Sequence, residues 1–502
     1  PEGPAVGAVH LVGRDREVDE VGGLLEGHRL VTLVGVGGIG KTSLATAVAV
    51  ERADRFGDGV RIVELAGLES GEAVANAVAA ALGVQPRPET SMTESMAESD
   101  RDLVSLILLD NCEHVLDDVA SLVATLLNGT RHVRVLATSR EPLSVGGELS
   151  VDVRPLSLPP RGADLIETAG ATSVQLFVER ATEAGRMIDT ADVEGMATIA
   201  ELCRRLDGLP LAIELAAART RALAPTEVLD RLHEHERVLA SRRRDIPERH
   251  RTLRDTIDWS YRLLTDDEQE VFDRLSVFYG GFTGDSAAAE CSSHRLEPLD
   301  VTELIWSLAE RSLIEVNDSG SDGTRYAMLE TLRQYGASHL DGPTARALAD
   351  RHLAYFVELS RRAGPGIQGP DEPVWVQRLN AEFDNLRVAH RHAVEIADAL
   401  AAVDLVASLH DYAMWRQRFE LGSWADATLQ LGGISAAARL PLLHATAGWG
   451  ACIRGDYEAA REHARLGLLA EQQPAADPCG WLHDVLAHCD YFTGNNQDGL
   501  EH

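Results

Sequence analysis

Lysine is nearly absent from this chain of 502 residues: of 47 lysines and arginines, a single one, Lys41, is lysine. A bias that made arginine of every other cation spared this position, so it demands more than charge: a compact ammonium on a flexible stem. Positive charge as a whole is scarce. The net charge is −32 and the isoelectric point about 4.9, a balance that repels nucleic-acid backbones and argues against these residues forming a main DNA-binding surface. No apolar run approaches the roughly 18 residues of a membrane helix. The start Pro1-Glu2-Gly3-Pro4 has neither the basic nor the apolar region of an export signal, so no membrane span is expected and the cytoplasm is the expected location. Six cysteines (Cys112, Cys203, Cys291, Cys452, Cys479, Cys489) show no C-x-x-C spacing, which speaks against a zinc site or disulfide framework and for reduced, partly buried thiols.

The lysine falls inside Gly35-Val36-Gly37-Gly38-Ile39-Gly40-Lys41-Thr42, the full phosphate-loop spacing G-x-x-x-x-G-K-[ST]. Leu30 to Val34 reads as a short buried strand before it and Ser43 to Val50 as a helix after it. The glycines let backbone N–H groups close around phosphate oxygens, and the helix N-terminus adds partial positive charge. Lys41 would reach the β- and γ-phosphates, with the Thr42 hydroxyl placed to ligate Mg²⁺. Gly35, Gly37, Gly38, Ile39, Gly40, Lys41, Thr42 and Ser43 are therefore the expected ligands of ATP or ADP.

At roughly 100 to 200 residues per domain, the length predicts three or four domains. Strand-like runs at Val60 to Leu65, Leu106 to Leu109, Val133 to Ala137 and Leu149 to Val153 alternate with helical stretches, giving an α/β domain with a parallel sheet over 1–155. The Pro/Ser/Thr/Glu-rich stretch Gln85 to Asp100 reads as an exposed connection or a weak helix. Amphipathic segments such as Val174 to Ala184, Met196 to Arg205 and Leu211 to Arg221 predict a helical subdomain over 156–245. Helices followed by a hairpin, Arg311 to Val316 and Arg325 to Leu329 about a turn at Asn317 to Gly323, predict a winged helix over 246–341. The remainder, 342–502, is helical. There Gly448-Trp449 through Gly455 to Ala460 has the spacing of a tetratricopeptide helix pair, and Gly494-Asn495-Asn496 comes near the next period, so the array reads as truncated. Leu500-Glu501-His502 is either native or a tag scar, and the whole reads as an excised piece.

Asp110 closes the strand Leu106 to Leu109, the pattern that lets a carboxylate hold Mg²⁺ beside a phosphate loop. Asn111 follows where fast ATPases often have a second acid, so hydrolysis should be slow unless Glu113 reaches the site; Glu113 is otherwise a surface or capping acid. Thr138-Ser139-Arg140 lies at the carboxyl edge of another strand, placing Arg140 to sense a γ-phosphate, with a structural salt bridge the alternative. Lys41, Asp110, Glu113 and Arg140 are the candidate catalytic residues, and Thr42 and Asp110 the candidate metal ligands. Leu143 to Glu148 has a superficial likeness to the ABC-transporter signature but follows the Asp110 strand instead of preceding it, and reads as a turn. The basic stretch Arg242 to Arg254 reads as a linker before it reads as a DNA contact.

Together these segments resemble the NB-ARC branch of the STAND signalling ATPases, in particular its large bacterial transcriptional regulators. Val12-Gly13-Arg14-Asp15-Arg16-Glu17 is similar to that family's adenine-side motif, Leu109 to Val115 to its Walker B region, Thr138 to Leu143 to its sensor strand, and Arg249 to Tyr261 to its winged-helix entry. Gly208-Leu209-Pro210-Leu211-Ala212 is similar to its helical-domain proline motif, and the resemblance implies that Pro210 packs on the nucleotide, joining Val12, Gly13 and Arg14. One departure is Met328-Leu329-Glu330, where many members have Met-His-Asp; Leu329 cannot donate the histidine's hydrogen bond, and Arg333 is a neighbouring substitute. The resemblance implies a switch closed by ADP and opened by ATP to form a homo-oligomer, with a protein or small-molecule inducer at the repeats and DNA contacted only through a domain outside this chain. A core that regulates a fused cyclase or kinase is the alternative; a fast metabolic kinase is disfavoured by Asn111 and the helical tail.

Overall fold

Apolar runs flanked by glycine and polar turns place the strands Leu30–Val34 (β1), Val60–Glu64 (β2), Leu106–Asp110 (β3), Arg134–Ser139 (β4) and Glu148–Asp152 (β5). In the computed structural model, which describes residues 11–493 except 69, 85–91, 100–102, 161, 240–247, 319–323 and 417, they form one parallel sheet in the order β2-β3-β4-β1-β5. β3 is buried throughout, as its continuous aliphatic run requires of a strand covered on both faces. Leu106 and Leu108 face the core that contains α1 (Asp15–Gly27) and α2 (Lys41–Glu51). Ile107 and Leu109 face the core built with α3 (Gly71–Leu82), α4 (Met92–Ser99) and α5 (Leu116–Gly129). Sequence reading left α4 as an exposed connection or weak helix; Met96, 2% exposed, anchors it in that second core. Because all strands run the same way, Val34, Glu64, Asp110, Ser139 and Asp152 end on one edge, where open parallel sheets bind ligands.

Five helices follow: α6 (Leu165–Gly170), α7 (Thr172–Glu183), α8 (Val193–Arg205), α9 (Pro210–Ala218) and α10 (Pro225–Leu239). Pro210 stands in the first turn of α9, where it costs no hydrogen bond. Every later residue of α9 is buried except Glu214. Next come α11 (Glu248–Arg262), α12 (Asp266–Leu275), β6 (Phe282–Thr283), α13 (Gly284–Cys291), α14 (Pro298–Glu310), β7 (Glu315–Asp318), β8 (Thr324–Ala327) and α15 (Glu330–Ala337). The predicted hairpin is present as β7 and β8, and β6 adds a third strand in the antiparallel order β6-β8-β7. At two residues β6 is too short for periodicity to reveal. The basic stretch from Arg242 lies largely outside the described residues, as does the Gly494 period.

The rest is helical: α16 (Gly342–Ile367), α17 (Glu372–Glu395), α18 (Ala399–Ser408), α19 (His410–Trp415), α20 (Glu420–Leu429), α21 (Leu440–Ile453), α22 (Tyr457–Glu471) and α23 (Trp481–Thr493). Asp341 caps α16, accepting from the Thr344 N–H at 2.8 Å. Among the described residues no helix is long and apolar enough to cross a membrane.

The winged helix is fastened to this helical region through buried polar groups. Asn385 of α17 accepts from the Tyr279 N–H (2.8 Å) and donates to the Gly281 carbonyl (2.9 Å), while His352 meets Glu290 at 2.8 Å. Arg325 reaches Glu382 at 2.6 Å. The helical region touches the sheet domain more lightly, with the Ser423 hydroxyl donating to Glu72 at 2.6 Å.

Candidate functional site

The carboxyl edge of the sheet, the first turn of α9 and the start of α15 enclose a cavity of about 500 Å³. Gly37, Gly38, Gly40, Lys41, Thr42 and Ser43 line it, with Val12, Arg14, Asp110, Glu113, Arg140 and Pro210. Gly40, at φ 89°, occupies the left-handed region that side chains disfavour, and its turn feeds straight into α2. Lys41, the first residue of that helix, donates to the carbonyls of Gly35 (2.9 Å) and Val36 (3.2 Å). Gly13, Gly35 and Ile39 stand behind the wall: a Cβ on Gly13 would lie 2.3 Å from Thr172, and Ile39 is in the core.

The Thr42 hydroxyl donates to Asp110 at 2.8 Å, and Thr138 donates to the same carboxylate. β3 and α2 thus bring together the two residues expected to hold a metal ion. Burial pushes the Asp110 carboxyl above its ordinary range, against the pull of those hydroxyls and of Lys41. Burial likewise lowers the Lys41 ammonium, with Glu113 and Asp110 opposing and Arg140 adding to the shift.

Glu113 is not a remote surface acid. It accepts from Arg140 at 2.9 Å, and with the Asn111 amide oriented to satisfy both ends, that nitrogen donates to Glu113 at 3.0 Å. Arg140 also donates to Gln334 of α15 at 3.3 Å, so one guanidinium ties the sensor strand to the winged helix.

Leu11, Val12, Leu156, Leu176, Pro210 and Leu211 make one wall apolar. Arg14 beside them is 2% exposed and donates to the carbonyls of Ile39 (2.8 Å) and Arg154 (3.1 Å). Its Nη1 is buried with no hydrogen-bond partner, the nearest acid being Glu17 at 3.7 Å. A buried orphan donor beside a glycine loop and an aliphatic wall fits an anionic ligand with a flat apolar part.

Sequence reading missed the opposite wall. Glu64 ends β2, Glu214 interrupts the apolar α9, and Glu315 and Glu330 come from the winged helix, all lining the cavity. Desolvation among the surrounding protein atoms, then Asp384, Asp110 and the two winged-helix acids, raises Glu64 to about 8 although its side chain stays open to the cavity; desolvation raises Glu214 and the likewise open Glu315 as well. Met328, Leu329 and Glu330 do line the site, but Arg333 does not replace the missing histidine. It is held by Glu330 at 2.7 and 2.8 Å and by the Ser276 carbonyl at 3.1 Å, over the Tyr279 ring. The hydroxyl that meets the loop is Thr331, 2.9 Å from where a Cβ on Gly37 would sit, so a side chain there would have to displace it. The Leu143 to Glu148 segment is the expected turn, its Glu148 carboxylate accepting from the N–H groups of Leu143 and Val145.

A phosphate loop on a parallel sheet, closed by a winged helix, defines the class: a P-loop NTPase domain joined to a winged helix. Residues 14–154 match the NB-ARC domain family and residues 264–341 a winged helix-turn-helix domain family. A putative HTH-type transcriptional regulator of Mycobacterium tuberculosis is 36% identical over 408 residues, 81% of this chain and 44% of that protein. An uncharacterized protein of the same organism is 34% identical over 361 residues, 71% of this chain and 88% of its own length. Regulatory protein AfsR of Streptomyces griseus is 28% identical over 403 residues, 76% of this chain and 38% of AfsR. The fold is similar to that of a STAND protein with a tetratricopeptide repeat sensor from Pyrococcus horikoshii, at TM-score 0.50 and 15% identity, over 99% of this chain and 76% of that one. The chain belongs to the NB-ARC family. It spans less than half the length of the mycobacterial regulator, 44%.

Proposed function

We propose that this chain is the nucleotide-operated core of a transcription regulator, with 1–155 binding ATP or ADP with Mg²⁺, 156–245 and 246–341 closing over it, and 342–502 receiving a protein or small-molecule inducer. The observation that carries this is the single cavity bounded by the phosphate loop, α9 and α15, which makes the seating of the winged helix depend on what the loop holds. Lys41 and the loop amides would hold the phosphates, Arg14 and the apolar wall with Val12 and Pro210 the nucleoside side, and Thr42 with Asp110 the metal. Mg²⁺ there would neutralise phosphate charge.

Arg140 is the discriminating residue. In the closed arrangement it is engaged by Glu113 and Gln334; a γ-phosphate would compete for it and release the winged helix, while Glu315 and Glu330 resist one further negative charge. The ion pair occupies Glu113 only while the site is closed; slow hydrolysis in the ATP state would rest on Asn111, the amide that stands where a second acid could activate water. Opening exposes the surfaces for homo-oligomerisation. The helix that follows the turn of the winged helix-turn-helix, α14, carries Asp300, Glu303 and Glu310 and no lysine or arginine, so DNA contact belongs to a domain outside this chain.

The reading is tested by calorimetric titration of the purified chain with Mg·ADP and Mg·ATP. Saturable binding of both, with sedimentation showing a larger species only with ATP, supports it. Binding of neither overturns it.

A further inference from the structure

Cysteine spacing in the sequence shows no pair, yet folding builds one. Cys452, in the last turn of α21, and Cys489, in α23, bring their sulfurs to 3.3 Å although 37 positions separate them in the chain. They share a small core with Ala451, Ala460, Ala464 and Val485. The other four cysteines are buried too, Cys479 in the connection between α22 and α23 and the remaining three in the domains that precede α16. Among the described residues no group of three metal-binding side chains occurs.

We propose that Cys452 and Cys489 are an oxidisable dithiol, and that a peroxide converts them to a disulfide that clamps α21 to α23. The two thiols share one hydrogen bond, and Cys489 sits on α23, the helix whose local opening admits the oxidant, which makes it the first to react. Its thiolate attacks hydrogen peroxide, breaking the O–O bond to give a sulfenic acid and hydroxide. Cys452 sulfur then displaces the sulfenic oxygen, which leaves as water with the Cys452 proton, so two thiols and one peroxide give one disulfide and two waters. Both sulfurs are buried, so the oxidant enters when α23, the outermost described helix, opens locally. Arg461 of α22 bonds Asp490 and Thr493 of α23 at 2.9 and 2.7 Å and returns that helix to register. A disulfide would remove this opening and stiffen the end of the array.

The intact chain is treated with hydrogen peroxide, alkylated under denaturing conditions and mapped without reduction. The expected result is loss of two of the six thiols and one cross-linked peptide joining 452 to 489, reversed by dithiothreitol. Cys452→Ser should give no cross-link and leave Cys489 reactive toward dimedone. Six thiols still alkylated, or cross-links through other cysteines or between chains, overturn the proposal. Peptide mapping of the unsubstituted chain decides even if the serine variant folds poorly, and neither result depends on nucleotide binding.

Discussion

Replacing Arg140 with alanine removes one guanidinium with two alternative sets of partners. In the closed arrangement it donates to Glu113 at 2.9 Å and to Gln334 at 3.3 Å, with 39% of its side chain exposed. A half-exposed pair of this kind contributes about 0–1 kcal/mol. A charge-assisted bond to a γ-phosphate inside the enclosed cavity is worth about 1.5–3 kcal/mol. The difference, on the order of 1–2 kcal/mol, is available to ATP and not to ADP. Arg140→Ala is therefore expected to lower the ratio of ATP to ADP affinity by about 5- to 30-fold while leaving ADP affinity nearly unchanged. Competition against a fluorescent ADP analogue measures both constants in one preparation. Equal weakening of both nucleotides, or an unchanged ratio, would refute the reasoning and return Arg140 to a purely structural salt bridge.

Lys41→Ala removes charged contacts to two phosphates, each worth about 1.5–3 kcal/mol, and should weaken either nucleotide by about 100-fold or more in the same titration. Asn385→Leu leaves the Tyr279 N–H without its partner and takes one of two donors from the Gly281 carbonyl, which keeps Arg325; with one orphaned group at about 1–3 kcal/mol, urea unfolding should report a loss on the order of 2 kcal/mol. Glu64, raised to about 8, retains a proton that the unfolded chain releases near its ordinary value of 4.5. The stabilisation from its neutral form is complete below that ordinary value and is lost as pH rises through about 8. Melting temperature should fall more steeply over that interval in the parent than in Glu64→Gln; parallel curves would show that Glu64 titrates normally.

What the sequence made legible is what is local. The loop from Gly35 to Thr42 and the run Leu106 to Asp110 declare themselves by spacing and by apolar continuity, and β4 and β5 follow from the same signal. The nearness of Thr42 to Asp110 follows from two such motifs on one parallel sheet. Other features arise only when distant segments meet. Glu64 and Glu315 have ordinary neighbours in the chain and become a cavity wall only when the winged helix docks. Thr331 lies in an unremarkable helical start, and only the close approach of Gly37 gives it a place at the site. Met96 sits in a polar, low-propensity stretch whose burial is decided by the core it completes. Cys452 and Cys489 are joined by the stacking of helices, which no short spacing records.

The most direct test is to denature the freshly purified chain, separate and identify any released nucleotide by chromatography, and measure steady-state ATP hydrolysis on the same sample. The switch account predicts about one ADP per chain and turnover well below the roughly 1 to 100 per second of kinases. A chain that releases no nucleotide and hydrolyses ATP rapidly would contradict it.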